Sequence, residues 1–382
     1  MTSGADTSEA ATSSVAPDAG VRPRLTSVDT MRGLTVAAML IVNDAGDWDH
    51  VHPWLEHSPW NGCTFADYIF PFFLFLVGVS ITLTVDTLLS RGVSPRAIAR
   101  KVVLRGIRIV LLGLLLAAVS WLTISAGHAY RPMGVLQRIG ICYTAAGLIA
   151  LFVRDARLQW ALIAVVLLGY WALLSHWVPL NAFGPLLPGA NLADHIDSAI
   201  LGQHAYLYDT ASGQGRDPEG FLSTLPAIVT VILGMRAGHW LRIQRRWALL
   251  WMGVALMVVG ALWALVFPIN KQLWTSSFVL WTGGAGMLML AIAHQGFDTW
   301  RWPPIGRSLG INAITAYAGA WVGICLLEGT GAMRPLYTSV FVAVFGPPLS
   351  PWVPSLMFAV AFTAFFWGLI GWMTRRGWRI TI

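Results

Sequence analysis

Apolar positions along the chain come in long unbroken runs, separated by short polar stretches rich either in arginine or in acids. A bilayer's hydrocarbon core is about 30 Å thick and a helix rises about 1.5 Å per residue, so an apolar run of about 20 residues marks a membrane helix. Ten such runs stand at 27–44, 65–89, 103–123, 133–153, 158–177, 220–239, 246–268, 274–294, 307–328 and 353–373. The first is short and opens on charged residues. A further apolar piece, Pro335–Phe345, is too short to cross and is expected to be re-entrant or interfacial. The pattern predicts an all-α fold, a polytopic transmembrane helix bundle of about ten spans. Residues 1–24 mix Ser, Thr, Ala, Asp and Gly with no apolar core and no basic lead. They are expected to form a disordered tail rather than a signal peptide. The membrane domain then occupies 25–382, with one long loop at 176–219.

Composition agrees. Of 382 residues, 56% are hydrophobic and 11% charged, against about 25% charged in a soluble domain. The net charge of +7 suggests an anionic partner until the cations are placed one by one. Twenty of the 25 Lys and Arg fall in the termini and in alternate loops, all on one side of the membrane. By the positive-inside rule both termini are then cytoplasmic. The other side holds Arg131, Arg216, Lys271 and Arg334, and Arg138 lies inside the fourth run. The basicity is topology, so no nucleic-acid partner is implied, and the lipid bilayer is the main surroundings. Acids collect on the outer side: Asp44, Asp47, Asp49 and Glu56 in the first outer loop, and Asp194, Asp197, Asp209, Asp217 and Glu219 in the long one. No inverted repeat of the transporter kind is visible. Three scattered cysteines make no disulfide framework.

A few polar residues stand where polarity is expensive. A charge at the centre of a span costs roughly 2.5–3.5 kcal/mol on insertion scales. Arg138 therefore needs an anionic partner or a wet cavity. Asp67 and Glu219 stand at similar depth, and both a structural ion pair and a contact to substrate or donor remain open. Thr64 and Asp67 form a T-x-x-D capping pattern before the second run, and Pro71 is expected to kink that helix. Asp29 and Arg32 are three apart on one helical face. His57 lies at the outer mouth of the bundle, and an imidazole suits general-base work. His50, His52 and His57 with Asp47 and Asp49 match no compact zinc spacing, so no metal is expected. Trp54 and Trp60 could stack on a sugar ring or anchor the membrane interface. Gly283-Gly284-Ala285-Gly286 reads as small-residue helix packing. There is no phosphate-binding loop.

Together the blocks resemble the heparan-α-glucosaminide N-acetyltransferase family of membrane acetyltransferases, including its bacterial members. They are Leu25-Thr26-Ser27-Val28-Asp29-Thr30-Met31-Arg32-Gly33, Val42-Asn43, His57-Ser58-Pro59-Trp60-Asn61-Gly62, Ala66-Asp67 and Phe70-Pro71. Gly134-Val135-Leu136-Gln137-Arg138, Asp217-Pro218-Glu219-Gly220 and Pro268-Ile269-Asn270-Lys271-Gln272-Leu273-Trp274 follow in order. The resemblance implies transfer of an acetyl group from cytoplasmic acetyl-CoA to the amine of an amino sugar or aminosugar-terminated glycan on the far side. It implies His57 and Asn43 as catalytic. It places Asp67, Trp60, Asp217, Glu219, Asn270, Lys271 and Trp274 around the substrate, and assigns Arg138 and Arg32 to coenzyme A. It is compatible with a homodimer, and with an integral protein of a bacterial inner (cytoplasmic) membrane.

The residue chemistry fits. Acetyl transfer to an amine needs a deprotonated nitrogen and a stabilised oxyanion. His57 could take the proton, or could carry the acetyl group itself. Asn43, Asn270 or Lys271 could donate to the oxyanion. Two rivals are an O-acyltransferase of envelope polysaccharide and a secondary transporter without chemistry.

Overall fold

In a computed structural model, 25–125, 127–177, 186–347, 349–378 and 380 are described. The expected tail 1–24, with Arg22 and Arg24, and also Arg379, lies outside the described residues. The structure is helical almost throughout. Helices α1 (Thr26–Asn43), α2 (Phe65–Ser90), α3 (Pro95–Thr123), α4 (Val135–Phe152) and α5 (Ala156–His176) precede the long loop. After it come α7 (Thr224–Arg242), α8 (Arg246–Trp263), α9 (Ser276–Ala293), α10 (Arg307–Ile311), α11 (Ala313–Gly329), α12 (Met333–Leu336), α13 (Ala343–Phe345) and α14 (Trp352–Arg375). The loop carries α6 (Leu192–Leu201) and an antiparallel hairpin of β1 (Leu207–Asp209) and β2 (Gln214–Arg216), with Tyr208 opposite Gly215.

Each of the ten apolar runs contains a helix. Among the described residues eight helices are long and apolar enough to cross a membrane. Ala313–Gly329 with Met333–Phe345 makes a ninth if that pair, bent by 96°, is one broken span. The apolar piece at Pro335–Phe345 thus turns sharply away from α11, as a re-entrant segment would. Helix α1 falls short of the same apolarity because Asp29 and Arg32 lie within it, 3.6 Å apart. Several boundaries differ from the apolar pattern, most at α3 and in the ninth run. Helix α3 begins eight residues earlier, in the basic loop, because Ser94 caps it by accepting the Ala97 N–H and Pro95 occupies its first position. The ninth run is broken at Asn312 into α10 and α11. Helix α2 runs on through Pro71 in its first third.

Helices α2, α7 and α9 form the centre, and α3, α5 and α8 the rim, as their burial of 67%, 78% and 72% against 28%, 28% and 22% shows. With lipid tails as the solvent, packing rather than water exclusion drives this sorting. Small residues allow it. A Cβ on Gly78 of α2 would lie 1.9 Å from the Val231 carbonyl oxygen, and one on Gly234 of α7 would lie 1.9 Å from that of Phe75. The two backbones touch at both points, so neither glycine can be replaced without parting the helices. The glycine run in α9 does the same work against three neighbours: Gly283 faces Leu233, Gly284 faces Gly253 and Met257, and Gly286 faces the Phe75 ring.

Candidate active site

One end of the bundle gathers three segments that are far apart in sequence: the loop from α1 to α2, the first turn of α2, and the α8–α9 loop. Asp67 organises them. Its side chain is 1% exposed. Its Oδ2 accepts the backbone N–H groups of Thr64 (2.9 Å) and Ser58 (3.1 Å), and the capping pattern read from the sequence is present. Its Oδ1 is 2.9 Å from Nδ1 of His57. The same carboxylate therefore caps α2 and orients an imidazole. The His57 side chain is 47% exposed, so the ring is held from behind and open in front.

Lys271 arrives from the opposite side. Its Nζ lies 3.0 Å from each ring nitrogen of His57 and 3.7 Å from Asp67 Oδ1. Burial pushes the Lys271 ammonium below its ordinary pKa, against the pull of Asp67 and Glu219. Asn270 sets the turn that delivers it. Its Oδ1 accepts the Leu273 N–H at 2.9 Å, its Nδ2 donates to Asn61 Oδ1 at 3.2 Å, and the Gly62 N–H donates to the Ile269 carbonyl at 2.8 Å. The two loops are thus sewn together directly beneath His57. Trp274 closes the turn with a positive φ of 50°. It is buried, donates its indole N–H to Thr230 Oγ1 at 3.1 Å, and packs edge-on to Phe70 and Phe278.

A second cluster lies beside the first. Arg131 donates from Nε to Asp217 Oδ2 (2.9 Å) and from Nη2 to Asp217 Oδ1 and Glu219 Oε2 (2.6 Å each), and sits 4.4 Å over the Tyr206 ring. Burial pushes the Glu219 carboxyl up, but Arg131, Arg138 and Lys271 together outweigh it and hold the group below its ordinary range. The acids drive the Arg131 pKa up in turn, against burial. The sequence reading placed Arg131 only as an outer cation and missed this role. The signal was there: it is one of four cations on a side where the acids collect.

Arg138 lies deeper. The carboxylate expected at its side has been taken by Arg131, which approaches Glu219 from the loop. Among the described residues Arg138 makes no ion pair. Its Nη2 donates to the Gly220 carbonyl at 3.1 Å and to Ser223 Oγ, and its guanidinium stands 5.2 Å over Trp274. Trp274 therefore lies between Arg138 and the turn that carries Lys271. Trp60 donates its indole N–H to the Leu186 carbonyl at 3.0 Å and has Arg216 over its ring at 5.8 Å, which ties the His57 loop to the long loop.

Asn43 ends α1 half-buried, and among the described residues no hydrogen bond joins it to His57. Its neighbour Asp44 is buried. Arg32 is at the other end of α1, donating to the Gly310 carbonyl at 3.1 Å and to Ser80 Oγ. The structure thus brings His57, Asp67, Asn270 and Lys271 into contact, sets Trp60, Trp274, Arg138, Asp217 and Glu219 around them, and leaves Arg32 apart.

A half-open histidine with a buried carboxylate behind it and an ammonium beside it can accept a proton and stabilise a developing negative charge. Residues 24–267 match the family model described as heparan-alpha-glucosaminide N-acetyltransferase, catalytic. Over 363 residues the chain is 30% identical to the human heparan-alpha-glucosaminide N-acetyltransferase, covering 78% of this chain and 52% of the relative. The mouse protein of the same name is also 30% identical, with 78% and 53% covered. The chain spans about half the length of these curated relatives.

Proposed function

Because the chain belongs to the heparan-alpha-glucosaminide N-acetyltransferase family, we propose that it transfers the acetyl group of acetyl-CoA to the amine of an amino sugar or aminosugar-terminated glycan, with His57 as general base. The observation that carries this reading is the His57 ring held between Asp67 and Lys271. Asp67 accepts a proton-bearing Nδ1, which leaves Nε2 as the basic nitrogen. Nε2 takes the proton from the acceptor ammonium or from the attacking amine. The amine nitrogen forms a bond to the acetyl carbonyl carbon, the thioester carbon–sulfur bond breaks, and the sulfur leaves as a thiolate that receives a proton. Asp67 stabilises the imidazolium formed on the way. Lys271 donates to the carbonyl oxygen as it gains charge, a role its lowered pKa favours by making its proton easier to share.

The sidedness follows from charge. We place the arginine-rich ends and both termini in the cytoplasm, where acetyl-CoA is available, and the His57 end outside, in a bacterial inner membrane. Direct transfer is favoured over an acetyl-imidazole because Asp67 and Lys271 already serve both the proton and the oxyanion. All the residues invoked come from one chain, so a homodimer is not needed to complete the site.

The test is purified protein with labelled acetyl-CoA and glucosamine. His57→Ala lowers transfer by about 10²–10⁴-fold, the usual worth of a general base. Full activity in that variant would sink the assignment. Transfer only to glycans lacking a free amine would replace it with an O-acyltransferase, and no transfer by the wild type to any acceptor would favour a transporter. A burst of free coenzyme A without acceptor would replace direct transfer with an acetyl-histidine.

A further inference from the structure

The arginine-rich end holds a cavity of about 550 Å³, between the C-terminal turns of α2, α4 and α7 and the first turn of α5. That volume lies within the range of ordinary small-molecule sites. Its polar lining is Asp86, Arg154, Gln159, Arg236, His239 and Arg242, over an apolar floor. Most arginines at this end face solvent, as the positive-inside rule alone requires. Here three converge on one space. Asp86 is shared: Oδ1 lies 3.1 Å from Arg154 and Oδ2 contacts Arg242. Arg236 is 7% exposed and donates from Nη1 to Gln159 Oε1 at 3.2 Å, while its Nε is buried without a partner among the described residues. Three guanidinium groups thus line one cavity, two of them on the Asp86 carboxylate and the third on Gln159. The N-terminal turn of α5, a 21-residue helix, adds its own preference for anions, with Ala156 and Gln159 on the cavity wall.

We propose that this cavity is a binding site for a phosphate-bearing ligand, distinct from the His57 site. A phosphate ester carries a charge of about −1.5 to −2, and guanidinium groups bind it through two parallel hydrogen bonds. The apolar floor suits the organic body attached to such a group. Asp67 and Asp86 stand at opposite ends of α2, about 28 Å apart along its axis. The phosphate has two possible sources, the nucleotide end of coenzyme A or an anionic lipid headgroup. The coenzyme A source rests on the acetyl-transfer reading above.

The experiment reads binding, so it can fail or succeed independently of transfer at His57. Full-length protein is titrated with coenzyme A by calorimetry. In parallel it is reconstituted in phosphatidylglycerol or phosphatidylcholine nanodiscs, and retained lipid is measured. One phosphate ligand is expected to bind the wild type. Arg236→Gln should weaken that binding roughly tenfold, and Arg154→Gln, which alters a half-exposed side chain and leaves the fold intact, should weaken it severalfold. Asp86→Asn, which removes the competing anion, should tighten it. A response to coenzyme A alone assigns the nucleotide, and one to phosphatidylglycerol alone assigns the headgroup. No binding of either ligand, binding unchanged in both arginine variants, or weakening in Asp86→Asn would overturn the site.

Discussion

Helix α2 carries an aspartate near each end, and the two are built differently. Asp67 is 1% exposed, receives two backbone N–H groups on one oxygen, and offers the other to His57. Asp86 is 14% exposed in its side chain and pairs with two guanidinium groups at the wall of a cavity, one of them on a half-exposed Arg154. The first is fixed by short-range bonds within its own loop and cap. The second is a counter-ion that a stronger anion could displace. A fixed carboxylate can hold a tautomer, which chemistry needs. A displaceable one can yield its partners, which ligand exchange needs.

The sharpest break in that contrast comes from Lys271. Among the described residues it is the one cation at the His57 end that touches the imidazole. Lys271→Met should lower turnover by about 10²–10³-fold, the scale of losing an oxyanion donor, with Lys271→Arg recovering part of it. A change confined to KM would reduce Lys271 to a binding contact. Asp67→Asn comes next. Oδ2 must still accept from Ser58 and Thr64, so the amide nitrogen would fall at Oδ1, facing His57. There it donates to Nδ1 and forces the proton onto Nε2, removing the base. Turnover should fall roughly a hundredfold, and the pH–rate profile should lose its limb for a titrating imidazole. If that limb survives, Asp67 serves the helix cap alone.

Arg131→Gln tests the fixed cluster through stability. It removes one guanidinium that holds two carboxylates, of which Asp217 is fully buried. Unpaired buried acids are costly, and with Arg131 28% exposed the loss should be about 2–3 kcal/mol. Arg154→Gln, which breaks a half-exposed pair, should cost under about 1 kcal/mol. Thermal unfolding in detergent compares the two. Equal losses would erase the distinction between a fixed end and an exchangeable one.

Much of this was legible because membranes punish misplaced polarity. The apolar runs located the helices, and the small-residue run in α9 packs as its composition suggested. The cap at Thr64–Asp67 was readable since its partners are three residues apart. His57 and Asp67 are ten apart and share one loop. Lys271 is 214 residues from His57, and only the resemblance put it in the same site. Arg131 and Glu219 are 88 apart, and the sequence supplied their signs but not their pairing. The cavity beside Asp86 was hidden for a different reason: topology already accounted for its arginines, so their convergence added nothing to the pattern. The helix and hairpin of the long loop escaped because elements of three to ten residues carry too little periodicity to read.

The long loop supplies the smallest expected effect, and it turns on pH. Asp197 of α6 accepts the Phe221 N–H at 2.9 Å and lies so close to Gly220 that a Cβ there would be 1.7 Å from its Oδ2. Burial pushes the Asp197 carboxyl from 3.8 up to about 7, with Asp217 and Asp194 adding to the rise and the Phe221 N–H and Arg138 opposing it. Burial raises Asp194 on the same helix as well, against the Gly189 N–H, Asn191 and Arg216. Between those two pH values the folded chain binds a proton the unfolded chain has released, so stability falls as pH rises. The contribution of Asp197 is complete below about 4 and gone above about 7. Protection of the α6 amides, taken as the slowing of exchange relative to the unstructured rate at the same pH, should therefore be greater at pH 5 than at pH 8, and Asp197→Asn should flatten most of that difference. This sets the loop beside the fixed end of α2, where Asp67 works as a carboxylate, and against it, since Asp197 holds its place best when protonated. Protection of the α6 amides that is greater at pH 8 than at pH 5, in the wild type, would mean that Asp197 is held as a carboxylate like Asp67, and the contrast within this end of the molecule would be lost.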